Sequence, residues 1–512
     1  MFLFTVLVLV TVIWTVQYRF RRRRMYELAS RISHLKDELP FIGVAHKFMG
    51  NTEDVMKSLK KFSYEAMETD GVTRMWLNHI LYFVMVNPED LEIVLKTCLE
   101  KDDVHRFMRN VLGNGTVFAP VSIWRRRRKI LIPAFSPKIV ESFVEIFSEQ
   151  SQHITHKVAR VSGSGTVNLW PIVSAYSLDA ACESTAGVKI YAQSETNSQF
   201  LAALEDGLNI ISQRIFNVWL QLEWLFRLLP LYTKYQKHVK YVYDFTDEII
   251  HNKRRQLKNN KQSQSDKGHY ELDDFKRKSF LELLIQLSGG EKGYTDLELR
   301  EEILTIIIAG TDTSAVGMAF TLMLLGKYPD IQQKVYEELK EVFGDSNRQL
   351  VKEDLPKLKY LERVVKESLR LFPPVPIIIR KVEKEMTLPS GVIIPSGSGI
   401  IVSIFGAHRD PKYWGPDAEH FDPDRFLPER FNLQHACSYM PFSNGPRNCV
   451  GYQYALKSIP TALTSILRNY KVVGEPEKGP IPNIRVKFDI MLKAAEGFYV
   501  KLEKRKPCLL KE

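Results

Sequence analysis

Residues 442–451, FSNGPRNCVG, limit what this chain can fold into more than any other stretch. Cys449 lies two residues beyond Arg447, between Gly445 and Gly451, and a helical-looking run from Tyr452 follows at once. Glycine lets backbone approach a flat group with no Cβ in the way. A helix start offers unpaired N–H groups and the positive end of a dipole, and both favour a thiolate. Arg447 adds a planar cation suited to a carboxylate. By itself Cys449 reads first as a small buried hydrophobe before a helix, so the rest of the chain has to decide.

With 512 residues, 45% of them hydrophobic, the chain can bury a large core. The five cysteines (Cys98, Cys182, Cys437, Cys449, Cys508) are widely spaced, which argues against a disulfide framework and for a reducing compartment. The net charge of +11 raises the question of a nucleic-acid partner. The basic residues are dispersed or flank apolar segments and no nucleic-acid motif occurs, so that class is excluded. A basic surface also suits anionic headgroups and an acidic electron-transfer protein. Residues 2–16 are almost continuously apolar and are followed by Arg19 and the run Arg21, Arg22, Arg23, Arg24. With Trp14 and Tyr18 at its end, this segment approaches the ~17–25 residues of a membrane-spanning helix. Without a basic leader or a small-x-small cleavage pattern, it reads as a retained anchor with its arginines on the cytoplasmic side. The expected division is 1–20 membrane anchor, 21–40 basic linker and 41–512 catalytic domain.

Residues 55–66 look helical and 73–86 alternate as a hairpin would. Trp124 opens a helix through Arg125, Arg126, Arg127 and Arg128 that should end before Pro133. Trp124 and Arg128 share a face, although a basic run reads first as a solvated surface. Two helical patterns within 200–256 flank the apolar connector 219–232, either a buried core segment or a loop dipping into a bilayer. Residues 253–278 are polar and read as an exposed loop. Thr295 and Glu298 form a capping box for a helix to about Lys327, roughly 50 Å long. Within it ILTIIIA gives way to Gly310, Thr311, Asp312, Thr313 and Ser314, a polar kink or a functional interruption. Residues 355–371 form a helix stopped by Pro373 and Pro374, with Glu367 and Arg370 on one face, alone an ordinary surface pair. Residues 394–404, with the turn PSGSG, read as a hairpin.

The decapeptide is similar to the haem-binding loop FxxGxRxCxG of the cytochromes P-450, matching at Phe442, Gly445, Arg447, Cys449 and Gly451. Three further stretches resemble the same family in the same order. These are WxxxR at Trp124 and Arg128, AGxDT at Ala309, Gly310, Asp312 and Thr313, and ExxR at Glu367 and Arg370, completed by Arg425. The chain is identified as a member of that superfamily, most similar to insect membrane-bound microsomal members of the lipid-oxidising animal clan.

The resemblance implies a mostly α fold with a small β region, preceded by one N-terminal transmembrane anchor helix. It implies haem b, with Cys449 as axial ligand of the iron in a loop with Phe442 and Arg447. Trp124, Arg128 and Arg380 would partner the haem propionates, with His408 as a further candidate. Gly310 would make room for O2, Thr313 with Asp312 would relay protons, and Glu367, Arg370 and Arg425 would form a structural brace. The implied reaction is monooxygenation, by hydroxylation or epoxidation, of a small hydrophobic molecule: a fatty acid, long-chain hydrocarbon, pheromone, odorant or xenobiotic. Electrons would come from NADPH through NADPH-cytochrome P-450 reductase, and cytochrome b5 is a second candidate donor. The docking face would include Arg125, Arg126, Lys129 and Lys457. The implied location is the endoplasmic reticulum membrane, with the catalytic domain cytosolic. One departure matters: fatty-acid ω-hydroxylases of this clan carry a haem-esterified glutamate where Ala309 stands, and a common histidine where Thr311 stands. A covalent haem is therefore not expected. The pocket walls would come from 107–121, 219–231, the distal helix, 375–379 and the 496–498 turn. Two rival classes share the fold, an isomerase or dehydratase of peroxides and a non-catalytic haem carrier or sensor. Asp312 with Thr313 weighs against the first, and the docking residues against the second.

Overall fold

The structure, a computed structural model, describes residues 2–34, 37–194, 199–264, 278–289, 293–431 and 435–505. Its centre is the helix Asp296–Lys327, which begins where the capping box puts it. Glu298 N donates to Thr295 Oγ1 at 3.2 Å, and Thr295 N donates to Glu298 Oε2 at 3.0 Å. The helix passes unbroken through Gly310–Ser314, with Thr313 Oγ1 donating to the Ala309 carbonyl at 2.6 Å, so the polar residues do not interrupt it. It is apolar enough to cross a membrane, yet 83% of that window is buried in protein. It is a core helix. Helices Trp170–Ala181, Lys359–Leu371 and Tyr452–Asn469 pack on it, so the residues before and after the cysteine loop lean on one scaffold.

The helix Phe2–Arg21 is the opposite case. Its segment Phe4–Arg21 also has the length and apolarity to cross a membrane, and none of it is buried in the protein. Trp14 and Tyr18 stack with ring centroids 5.4 Å apart near its end, where an interfacial belt would lie.

The small β region includes a four-stranded sheet in the order Val72–Leu77, Ile80–Met85, Gly399–Ser403, Ile377–Lys381. The first two strands are the expected hairpin, paired Val72 to Met85. The hairpin expected over 394–404 does not form. Ile393–Ile394 pairs with Met386–Thr387 in a separate sheet. Past the PSGSG turn, Gly399–Ser403 inserts between Ile80–Met85, parallel, and Ile377–Lys381, antiparallel. The turn hands the chain from one sheet to another.

Other boundaries move for local reasons. The arginine-rich helix spans Val121–Ala134, beginning with Trp124 N on the Pro120 carbonyl. Pro133 falls in its last turn, where the missing N–H costs one bond and does not end the helix. The stretch 355–371 divides into a 3-10 turn Leu355–Lys357 and a helix Lys359–Leu371. The apolar connector becomes two short helices, Val218–Gln221 and Glu223–Leu228, between the helices Gln199–Phe216 and Pro230–Gln264. Of its large apolar side chains Phe226 is buried, whereas Trp219, Trp224 and Leu228 are 63–74% exposed. The connector is not a core segment. Of the polar stretch 253–278, residues up to Gln264 continue the preceding helix, and 265–277 lie outside the described residues.

Candidate functional site

A cavity of about 940 Å³ opens beneath the central helix. Ala309, Gly310 and Thr313, the loop residues Phe442, Arg447 and Cys449, and Trp124 and Arg128 all line it. The local backbone explains the loop. Cys449 N donates to the Phe442 carbonyl at 2.9 Å, which folds the decapeptide back on itself. Gly445 has φ 74° and packs so tightly on the Leu95 carbonyl that a Cβ would collide with it. Gly451 caps the helix Tyr452–Asn469, so Cys449 sits two residues from the cap.

Cys449 is exposed to the cavity rather than packed into the core. Its deep position pushes the thiol up, while the Gly451 N–H and Arg128 pull it down. Burial wins, so the helix start alone does not supply a thiolate. Coordination to a metal deprotonates a thiol outright. Cys98, Cys182 and Cys437 are buried, and burial raises each of them.

The cations around the loop divide in an unexpected way. Arg128 donates to the Asn448 carbonyl at 2.9 Å and to Asn448 Oδ1 at 2.6 Å, which ties the arginine-rich helix to the residue before Cys449. Its Nε keeps no partner. Arg127 turns away and pairs with Glu301 at 2.8 Å and Glu302 at 3.2 Å on the central helix. Arg447 donates to the Ala119 carbonyl and lies 4.7 Å over the Trp124 ring, with Nε and Nη1 unpartnered. Arg380 lies behind the wall, 1% exposed, and its Nε and Nη1 are likewise unpartnered. Lys101 reaches the same cluster through an isolated bridge to Arg380 and lines the cavity. Burial pushes Arg380 down to about 10, and burial together with repulsion from Arg380 pushes Arg447 down to about 10 and Lys101 well down. Glu100 offsets Arg447 in part. Buried, unpartnered guanidinium groups beside a cysteine fit a flat, dianionic group ligated through its metal, which is what haem with its propionates would be. Lys101 gave no sequence signal, because a non-local bridge brings it to Arg380.

His408 is not among these cations. It is fully buried, its Nδ1 faces the Arg370 carbonyl at 3.1 Å, and Met440 N donates to its Nε2 at 2.8 Å. Burial pushes its pKa down to about 3. It is a neutral structural link. Arg126 is partly engaged, 3.4 Å from Glu298, whereas Arg125 and Lys129 are exposed. Lys457 stands 4.0 Å from Glu141.

Glu367 and Arg370 are not a surface pair. Both side chains are 0% exposed and meet in a two-pronged contact at 2.6 and 2.8 Å. Arg425 completes the trio with Nε 3.7 Å from Glu367 Oε1.

Asp312 points away from the cavity. It is 5% exposed with Oδ1 unpartnered, and burial pushes its carboxyl up to about 6. Ile377, Ile378 and Ile379 line the cavity as expected. The 496–498 turn does not, since Phe498 is buried against Phe320, with centroids 5.0 Å apart. Phe488, Ile490 and Met491 take that wall instead, and from the connector region Ile215, Phe216 and Gln221 contribute.

On the cavity face of the central helix stand Thr305, Ile306, Ala309, Gly310, Thr313 and Ser314, none with a carboxyl. No ester to a cofactor can form from that face. Acid and organic solvent should therefore extract all haem from purified protein, with no absorbing group left on the polypeptide by chromatography.

Comparison with known proteins agrees with this geometry. The profile of the Cytochrome P450 family matches residues 34–502. The chain is 33% identical to cytochrome P450 4d2 of Drosophila melanogaster over 479 residues, 91% of this chain and 93% of that protein. It is 32% identical to cytochrome P450 4V2 of Homo sapiens over 435 residues, 84% and 82% of the two chains. A solved structure, a mutant heme domain of cytochrome P450DA, superposes with a TM-score of 0.77 at 21% identity, covering 93% of this chain and 98% of that one. The unpartnered arginines around Cys449 fit haem b, held without a covalent bond in this family, and the chain belongs to the cytochrome P450 family of monooxygenases.

Proposed function

We propose that this protein is a membrane-anchored monooxygenase of long, apolar molecules: fatty acyl chains, hydrocarbons, pheromones, odorants or similar xenobiotics. The observation that carries the reading is the shared cavity, which Cys449, Ala309, Gly310 and Thr313 line together among largely apolar walls. The overall change inserts one atom of O2 into a C–H bond or across a double bond. The other atom leaves as water, with two electrons from NADPH and two protons. Haem, when bound through a thiolate, supplies the oxygen-activating chemistry.

The chain's own residues divide the remaining work. Cys449 would ligate the haem iron, and Arg380, Arg447, Arg128 and Trp124, joined by Lys101, would hold the haem propionates. Gly310 leaves room on the distal side, since a Cβ there would meet no atom closer than the Ala181 methyl at 3.8 Å. The Thr313 hydroxyl, now on the Ala309 carbonyl, faces the cavity and can pass a proton on. Asp312, the residue before Thr313, would hold that proton from its buried position, since a carboxyl pushed up to about 6 exchanges protons readily near neutrality. Phe107, Phe118, Ile379 and Phe488 exclude water and hold an apolar chain.

The cavity also reaches Arg22, Asn78, His79 and Ile80, just behind the helix Phe2–Arg21. That course and the exposed Trp219, Trp224 and Leu228 favour a substrate entering from a bilayer, in our reading the endoplasmic reticulum membrane. Residues 1–20 serve as anchor, 21–40 as linker and 41–512 as catalytic domain. Exposed Arg125 and Lys129 are the basic groups offered to an acidic flavoprotein reductase, or to cytochrome b5.

Microsomes holding the protein and NADPH-cytochrome P-450 reductase, given fatty acids, unsaturated hydrocarbons and terpenoids, should form monooxygenated products that carry one labelled atom from 18O2. Turnover of peroxides without NADPH would replace this reading with that of an isomerase. No product from any compound, despite haem reduction, would leave a carrier.

A further inference from the structure

Adjacent residues of the arginine-rich helix Val121–Ala134 reach different parts of the chain. Arg128 is tied to Asn448, next to Cys449, whereas Arg127 enters a buried cluster on the central helix. At the centre of that cluster is Glu302, whose side chain is 0% exposed. Its carboxylate accepts from Thr116 N at 3.2 Å, from Thr116 Oγ1 at 2.8 and 2.9 Å, and from Arg127 Nη1 at 3.2 Å. Arg127 Nη1 also donates to the Asn114 carbonyl at 2.5 Å. An ionised carboxylate suits this place because it offers acceptors alone.

The loop that carries Thr116 lies directly on the central helix. A Cβ on Gly113, which has φ 57°, would overlap the Glu301 carboxyl, and a Cβ on Gly115 would overlap Thr305. Past Gly115 the loop becomes cavity wall, lined by Thr116, Val117 and Phe118. The next carbonyl, that of Ala119, accepts from Arg447. Glu302 itself does not line the cavity, so it acts on a bound molecule only through this wall.

We propose that Glu302 is a positioning residue, which fixes the 116–118 wall against the central helix and so sets how tightly the cavity holds a long apolar chain. The inference rests on the reading of the cavity as a site for such chains and deepens it. Glu302→Gln keeps the shape but puts an NH2 where one acceptor stood, so Thr116 and Arg127 cannot both be satisfied. Thr116→Val removes the hydroxyl from the loop's side of the same contact and leaves the backbone N–H in place.

Two measurements on the haem-loaded full chain test it. In hydrogen exchange read by mass spectrometry, each variant should speed exchange across 113–119 about tenfold, the low end for one bond to a charged group. Exchange across 452–469 should stay as in the parent. In optical titration, imidazole and 1-dodecylimidazole both bind the iron through nitrogen, and only the second lays a chain along the wall. Each variant should weaken 1-dodecylimidazole about three- to tenfold, as for one or two methylenes left unburied, and leave imidazole unchanged. Thr116→Ser should keep the parental values. The double variant should bind no more weakly than the weaker single one, since both changes break one contact. Unchanged exchange across 113–119, a loss shared equally by the two ligands, or losses that add in the double variant would overturn the proposal. A parent that binds 1-dodecylimidazole no better than imidazole removes the apolar-chain reading of the cavity, and the proposal with it.

Discussion

Cys449→Ser should abolish monooxygenation while leaving much of the haem in place. A serine hydroxyl cannot take the role of an anionic sulfur, which pushes electron density to the iron and favours O–O cleavage. The reduced carbon monoxide complex should therefore lose its red-shifted Soret band, and product formed with reductase and NADPH should fall to background. Haem retention has separate supports, because the free Nε and Nη1 of Arg380 and Arg447 do not depend on the cysteine. Cys437→Ser is the matched control. Its sulfur accepts from Asn444 Nδ2 at 3.3 Å in the same region, but burial raises that thiol and it does not line the cavity. An unshifted carbon monoxide band in Cys449→Ser would remove Cys449 from the site. A lost band in Cys437→Ser would point to the other thiol.

The parts of this site that were legible in the sequence are those fixed by local backbone. The decapeptide 442–451 carries its own glycines, its own turn and the helix start behind Cys449. The capping box at Thr295 and Glu298 sets the register of the central helix, and so the face on which Ala309, Gly310 and Thr313 appear. What could not be read depends on distant contacts. Among four consecutive arginines each residue turns by about a quarter of a helical circle. Only packing sends Arg128 to Asn448 and its neighbour Arg127 to Glu302. Lys101 becomes part of the cation cluster through one bridge to Arg380, 279 positions later in the numbering. The PSGSG turn suggests a hairpin because turn residues carry no record of partners, and the strand beyond it pairs with Ile80–Met85 instead. Glu367 and Arg370 look like a surface pair for the same reason: helical spacing shows that they meet, but burial decides what the meeting is worth.

That burial makes Glu367→Gln a substitution with a large expected effect on stability. Arg425 would keep Asp417, at 2.8 Å, as its anion. Arg370 would keep no carboxylate, since Glu367 is its only one among the described residues. Removing one partner of a buried pair costs about 3–5 kcal/mol, a large part of the ~5–15 kcal/mol that holds a typical domain together. Arg370 also donates to the carbonyls of His408, Ala418 and His420, at 2.8, 2.6 and 3.0 Å. From His408 the path continues to Met440 N, two residues before Phe442. The brace thus holds the segment that carries the cysteine loop, and Glu367→Gln should be recovered in low yield, with depleted haem and a lowered midpoint of thermal unfolding. Arg370→Met should be at least as damaging, because three buried carbonyls lose their donor together. Exchanging the two residues, Glu367→Arg with Arg370→Glu, keeps the charges but puts an acceptor where those carbonyls need a donor. It should therefore fail to rescue. If the exchanged protein regained parental haem content and stability, the pair would be acting through charge alone, and its link to the loop through His408 would carry no weight.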